Sequence, residues 1–300
     1  MEQIKFSDSL VGKQIVSKDT KSRIKENLLQ KSHIKQKLKE LKASKEEFDE
    51  LLGYFVSYDE DFEACKDCKS LKDCKKEIKG MKMDLVRDED GDIVRVYDLC
   101  DLKKEERRIN QNYLIRDFPD AHLNVELEDL DGRKGRINLE YELLHLDINN
   151  DNKKGIFVFG KPNTGKSFPF IAFLNGLVRK DVKCAFVNVR EFTELLKRGF
   201  NDLTQNVNDT IDIVKDVTVL VLDDLGDEKI SEWVRDDVLT TILDYRFKNG
   251  LVTFITSSYD LKELEILYTV SKTSKAVASM KAEKFIEKIK NSCPIIIEVK

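Results

Sequence analysis

The chain has 300 residues, of which 41% are apolar and 36% charged, with 52 Lys+Arg against 56 Asp+Glu and a formal net charge of −4. That length holds one large domain or two modest ones, and the near-balanced charge argues against binding nucleic acid by bulk electrostatics, though not against a local basic surface. No apolar run reaches the ~18 residues that span a membrane, and the start, Met1-Glu2-Gln3-Ile4-Lys5, lacks the apolar stretch of a signal peptide. A soluble cytoplasmic protein is expected, with its six Cys as thiols or metal ligands rather than disulfides.

Residues 20–43 are dense in Lys, with Ile24, Leu28, Ile34, Leu38 and Leu41 at helical spacing. Ser44 and Glu47 form a capping box, and behind it Phe48, Leu51, Leu52, Phe55 and Val56 share one helical face. That face reads as a small helical core or as a groove for a partner helix. Met83-Asp84-Leu85-Val86 and Ile93-Val94-Arg95-Val96-Tyr97 flank Asp90-Gly91, the pattern of a β-hairpin. Residues 101–112 are a charged helix or linker. Residues 114–136, with Pro119, Gly132 and Gly135, read as irregular, and a helix is predicted over 137–148.

From residue 154 strands and helices alternate. Strands are predicted at Ile156–Phe159, Cys184–Val189, Thr218–Leu222 and Val252–Thr256, and helices at 167–179, 191–198 and 231–248. This alternation predicts an α/β fold with a parallel sheet flanked by helices. The expected organisation is an N-terminal helical, Cys-bearing domain over 1–113, a linker with an entry helix over 114–150, and a phosphate-loop domain over 151–300.

Gly160-Lys161-Pro162-Asn163-Thr164-Gly165-Lys166-Ser167 fits G-x-x-x-x-G-K-[ST] between a strand and a helix. Its glycines let backbone N–H groups turn inward on phosphate, Lys166 reaches the β- and γ-phosphates, and the Ser167 hydroxyl ligates Mg²⁺. The loop therefore predicts ATP with Mg²⁺. Val219–Leu222 runs into Asp223-Asp224, where Asp223 is placed for the Mg²⁺ shell and Asp224 for polarising the attacking water. Alone, such a pair is also a common helix entry. The strand at 252–256 ends in Ser257-Ser258, near where a γ-phosphate would lie; a plain polar turn is the other reading.

Cys65-x-x-Cys68, Cys74 and Cys100 supply four thiolates, the donor set of a closed structural Zn²⁺ site. A redox pair and plain packing cysteines are the alternatives. Cys184 and Cys293 read as packing residues.

The stretches Leu222-Asp223-Asp224-Leu225-Gly226, Trp233-Val234-Arg235-Asp236-Asp237-Val238-Leu239, Ile242-Leu243-Asp244-Tyr245-Arg246-Phe247 and Thr253–Ser258 resemble the DnaI/DnaC-type bacterial replicative-helicase loaders. The resemblance covers residues 150–300 well and the Cys-bearing front more weakly. It implies an AAA+ ATPase core preceded by a small α+β zinc-binding helical domain that grips the replicative helicase hexamer. It further implies delivery of that ring onto single-stranded DNA, self-association through the AAA+ domain, and ATP used as a switch.

The chain departs from the family pattern in three places. The nucleotide-sensing Asn is Ser258 here. The two C-terminal Arg correspond to Lys284 and Lys288, which keep the charge but lose the planar fork; a solvated basic stripe is the alternative. The His that follows the first Cys pair in some relatives is Lys82, which leaves Cys74 to complete the metal set. Lys197-Arg198-Gly199-Phe200 is a candidate contact for single-stranded DNA, or a helix end capped by Gly199. Two other functions remain open from sequence: a transposition-helper ATPase, and an adaptor that binds ATP with little hydrolysis.

Overall fold

The computed structural model describes residues 18–130, 132, 135–150, 154–199, 207–270 and 274–300. Residues 1–5 and Phe200, both read above, lie outside them. The chain divides into two compact units between Arg107 and Arg108.

The first unit contains α1 (Lys18–Gln30), α2 (Ser32–Leu41), α3 (Lys45–Glu50), α4 (Leu52–Cys65), and the strands β1 (Met81–Arg87) and β2 (Ile93–Leu99). The helix expected over 20–43 is two helices, because Lys31 takes an extended conformation. The Lys31 amine instead reaches across to Asp59, 2.8 and 2.6 Å from its two oxygens. The capping box forms as read: the Glu47 N–H donates to Ser44 Oγ, and the Ser44 N–H to Glu47 Oε2. Arg87 clamps the Glu47 carboxylate from the end of β1 and holds its pKa down to about 2. Leu28, Ile34, Leu41, Phe48 and Phe55 bury against Met83, Leu85 and Ile93. The apolar helical face is therefore covered by the unit's own hairpin, not left as an open groove. β1 and β2 pair antiparallel from Met81↔Leu99 to Arg87↔Ile93.

α5 (Asp101–Asn112) leads into the second unit. There β3 (Tyr113–Arg116), β4 (Ile156–Phe159), β5 (Cys184–Asn188), β6 (Val219–Leu225), β7 (Val252–Ser257) and β8 (Ile295–Glu298) form one sheet in the order β3-β5-β6-β7-β4-β8. Every pairing in it is parallel. Its helices are α6 (Ile137–His145), α7 (Ser167–Val178), α8 (Val189–Gly199), α9 (Val207–Asp216), α10 (Thr240–Lys248), α11 (Leu261–Leu267) and α12 (Lys275–Ser292). The sheet is buried on both faces, which is why its strands read as unbroken apolar runs.

Residues 114–116 are not linker. They continue an edge strand paired to β5, and α6 packs on α7, so 114–150 belongs to the sheet-bearing unit and the division falls at 107/108 rather than at 113. β8 and α9 are further elements that the alternation did not indicate. The helix leading into α10 contains a π-helical segment, Val234–Leu239. There the buried Arg235 forks onto Asp236 at 2.6 and 2.9 Å and donates to the carbonyls of Tyr268 and Val270. Arg246, also buried, donates to the carbonyls of Val214, Lys215, Val217 and Val252, closing the end of α9 onto the sheet. Among the described residues no helix is long and apolar enough to cross a membrane.

Candidate nucleotide-binding site

The loop Gly160–Ser167 leaves the carboxyl end of β4 and enters α7. Both of its glycines are required by backbone, and Gly160 by space as well. A Cβ on Gly160 (φ +155°) would stand 2.0 Å from the Val299 carbonyl, and one on Gly165 (φ +81°) 2.8 Å from Arg136 Nη1. Asn163 also takes a left-handed conformation, at φ +63°. Lys161, Pro162 and Asn163 are exposed at the rim, while Lys166 is buried. The Lys166 amine donates to the carbonyls of Gly160 (2.9 Å) and Lys161 (3.0 Å), and Thr164 Oγ1 donates to the latter at 2.9 Å. Burial lowers the pKa of Lys166, against the pull of Asp224, Asp223 and Asp227.

Across the sheet, β6 does not end at Leu222. It runs to Leu225 with a bulge: three steps from Leu222 to Leu225 face two from Ile255 to Ser257. The bulge contains both aspartates, and Asp224 sits in it at φ +56°. Thr256 locks this geometry. Its hydroxyl donates to Asp223 Oδ1 at 2.7 Å and accepts from the Asp224 N–H at 3.0 Å. Burial, then repulsion from Asp224, raises the Asp223 carboxyl to about 6, although hydrogen bonds from Ser167 and Thr256 and the charge of Lys166 oppose the shift. Asp224, half-buried, is raised by burial and by Asp227. The structure thus brings Lys166, Ser167, Asp223 and Asp224 together.

Other expected residues stand elsewhere. Ser258 follows β7, but the hydroxyl that reaches the aspartates is that of Thr256, two residues earlier, while Ser257 Oγ donates to the Leu225 carbonyl. Lys284 is exposed on α12, and Lys288 pairs with Asp244 of α10 at 2.5 Å. α12 enters β8 at the end of the sheet opposite the loop, since Ile295 pairs with Ile156 at the start of β4. Among the described residues, no hydrogen bond or ion pair joins either lysine to the loop. Gly199 closes α8, with Lys197 and Arg198 in its last turn. Thr256 and Arg136 escaped the sequence reading. The Thr-Ser-Ser run was on view, but the bulge that decides which hydroxyl faces the aspartates was not.

In the first unit, Cys65 ends α4, and the N–H of Cys100 donates to the Gly80 carbonyl at 2.8 Å. That bond returns Cys100 to the segment bearing Cys74. All four thiols are free and half-buried. Burial raises Cys68, and the neighbouring Cys74, Cys65 and Cys100 raise it further, so the four sulfurs share one neighbourhood. No three of them lie within 4.8 Å of one another. Among the described residues, the grouping that does is His33, Asp59 and Glu63, where the Lys31 amine on Asp59 already supplies the positive charge.

A family model described as IstB-like ATP binding protein matches residues 98–291. The chain belongs to this family. The match spans β3 to α12, so the IstB-like part includes the phosphate loop, the bulged aspartates and Thr256. The replicative helicase loader DnaI of Bacillus subtilis (strain 168) is 28% identical to this IstB-like chain over 245 residues, 79% of this chain and 78% of that one. The uncharacterized protein YqaM of the same organism is 26% identical over 132 residues, covering 42% of this chain and 41% of that one. A crystal structure of DnaI superposes with a TM-score of 0.50 at 32% identity, covering 61% of this chain and 95% of the other.

Proposed function

We propose that the chain loads a replicative helicase ring onto single-stranded DNA, with ATP and Mg²⁺ as its switch. One observation carries the reading: the similarity to the helicase loader DnaI runs over 245 residues. That is longer than the sheet-bearing unit, 108–300, so it extends into the Cys-bearing unit as well. A transposition helper of the kind suggested by the IstB-like match accounts for residues 98–291 alone.

The chemistry follows from the residues that the fold brings together. Loop N–H groups and Lys166 would hold the β- and γ-phosphates, and Ser167 Oγ with Asp223 would hold Mg²⁺. Ser167 holds down the pKa of the Asp223 carboxyl, and this proximity suits a joint ligand pair. Mg²⁺ would supply charge neutralisation on the phosphate chain. Asp224, raised and half-buried, would orient and polarise the attacking water. Hydrolysis is slow in this reading. The position after Ser257 offers only the short Ser258, and Lys288 is engaged by Asp244. Lys284, exposed, would act on a neighbouring copy when the chain self-associates.

In the first unit the four thiols of Cys65, Cys68, Cys74 and Cys100 would close on one structural Zn²⁺, which stabilises a small helical core. That unit would grip the helicase. The test is a pull-down with the replicative helicase hexamer, with and without ATP. Capture at micromolar concentration is expected; no capture in either state defeats the loader reading.

A further inference from the structure

Arg136 stands at the N-cap of α6 and is buried, with 5% of its surface exposed. The Arg136 guanidinium fills the space beside Gly165, with Nη1 2.8 Å from where a Cβ would be. The cation thus lies against the loop itself, beside the residue that precedes Lys166. The backbone just before it is closely packed: a Cβ on Gly135 would meet the Lys300 carbonyl at 2.3 Å. Glu140, one turn along α6 and 9% exposed, is its acidic neighbour, with Oε1 3.4 Å from Nε.

The Glu140 contact is longer than a close hydrogen bond. Beside a loop of inward-facing N–H donors, such a cation acts on a bound polyanion through a medium of low effective dielectric. The sheet order gives the side of β4 from which it approaches. Asp223, Asp224 and Thr256 lie on the β6–β7 side of β4. Arg136 approaches from the β8 side, since its neighbour Gly135 packs on Lys300, just beyond β8.

We propose that Arg136 is a phosphate-contact residue of the nucleotide site, acting on the α- and β-phosphates from the side opposite the aspartates, and that Glu140 competes with the nucleotide for its charge. The inference rests on the loop being a nucleotide site. It assigns Arg136 to the phosphates that ATP and ADP share.

The experiment is calorimetric titration of the full chain with Mg-ADP and Mg-ATP, for wild type, R136A and E140Q. R136A is expected to weaken both nucleotides alike, by roughly ten- to a hundred-fold, the size of one charge-assisted contact. E140Q is expected to bind ADP at least as tightly as wild type, because the guanidinium then no longer shares its charge. If the pair merely pins α6, E140Q loses as much affinity as R136A, and the proposal is overturned. Loss of ATP affinity alone in R136A overturns the α/β assignment. Should R136A not fold, E140Q decides: retained or tighter binding supports the proposal and weaker binding overturns it. Wild type that binds neither nucleotide defeats the nucleotide reading as well; wild-type binding left unchanged in R136A overturns only the role of Arg136.

Discussion

Thr256→Val removes one hydroxyl and keeps the shape of a fully buried side chain. Two hydrogen bonds go with it, the 2.7 Å donation to Asp223 Oδ1 and the 3.0 Å bond accepted from the Asp224 N–H. The first is charge-assisted and worth ~1.5–3 kcal/mol, and the second is a neutral bond worth ~0.5–1.5 kcal/mol. The expected loss is therefore about 2–4.5 kcal/mol of unfolding free energy at pH 8 in Mg²⁺-free buffer, read from urea denaturation. The loss should depend on pH in a definite direction. Asp223 already has its pKa raised to about 6, and losing a donor to its ionised form raises it further. Below both values the carboxyl is protonated in either protein, so the charge-assisted part of the penalty disappears. Thr256→Ser, which keeps the hydroxyl, should recover most of the loss at pH 8. A Thr256→Val protein as stable as wild type at pH 8, or with a penalty that does not shrink by pH 5, refutes the role given to this hydroxyl.

Asp224→Asn should lower single-turnover ATP hydrolysis by at least about ten-fold while leaving nucleotide binding in place, the signature of a lost water-polarising group. Asn tolerates the left-handed backbone of that position (φ +56°), so the substitution reads chemistry rather than strain. Mg²⁺-dependent nucleotide affinity should fall as pH drops through the Asp223 value of about 6, because the ion must displace a proton there. In Mg²⁺-free protein the same group works in the opposite sense. Its folded pKa lies above 3.8, so the folded state gains a proton first and is stabilised as pH falls from about 6 to 4. Metal analysis of the purified full chain should give about one Zn²⁺ per molecule, lowered by Cys68→Ser; a folded, zinc-free protein would remove the metal proposal.

The phosphate loop and the central strands were legible because their signals are local. A glycine pattern sits between a buried strand and a helix, and apolar runs mark a sheet covered on both faces. The capping box at Ser44 and Glu47 was legible for the same reason. What escaped depends on distant partners. β3 and β8 are four residues each and become strands only by pairing with β5 and β4. Residues 114–136 carry Pro119 and glycines, which masked the edge strand at their start. Thr256 was hidden by the bulge, since period-two counting along β6 does not foresee an extra residue. Lys288 takes its nucleotide role from its place in a family pattern, and its ion pair with Asp244 of α10 was not visible in the sequence. Arg136 carries no motif at all, and only the backbone of Gly165 reveals where it goes.

The phosphate loop lies at residues 160–167, but its back wall comes from a segment distant in sequence. The Val299 N–H donates to the Phe159 carbonyl at 2.8 Å, and the Val299 carbonyl presses on Gly160. Pairing of β8 along β4 therefore does two things at once: it covers one edge of β4 and sets the wall against which the loop turns. A change in residues 295–299 would be felt at Gly160, although those residues carry no part of the phosphate-loop motif.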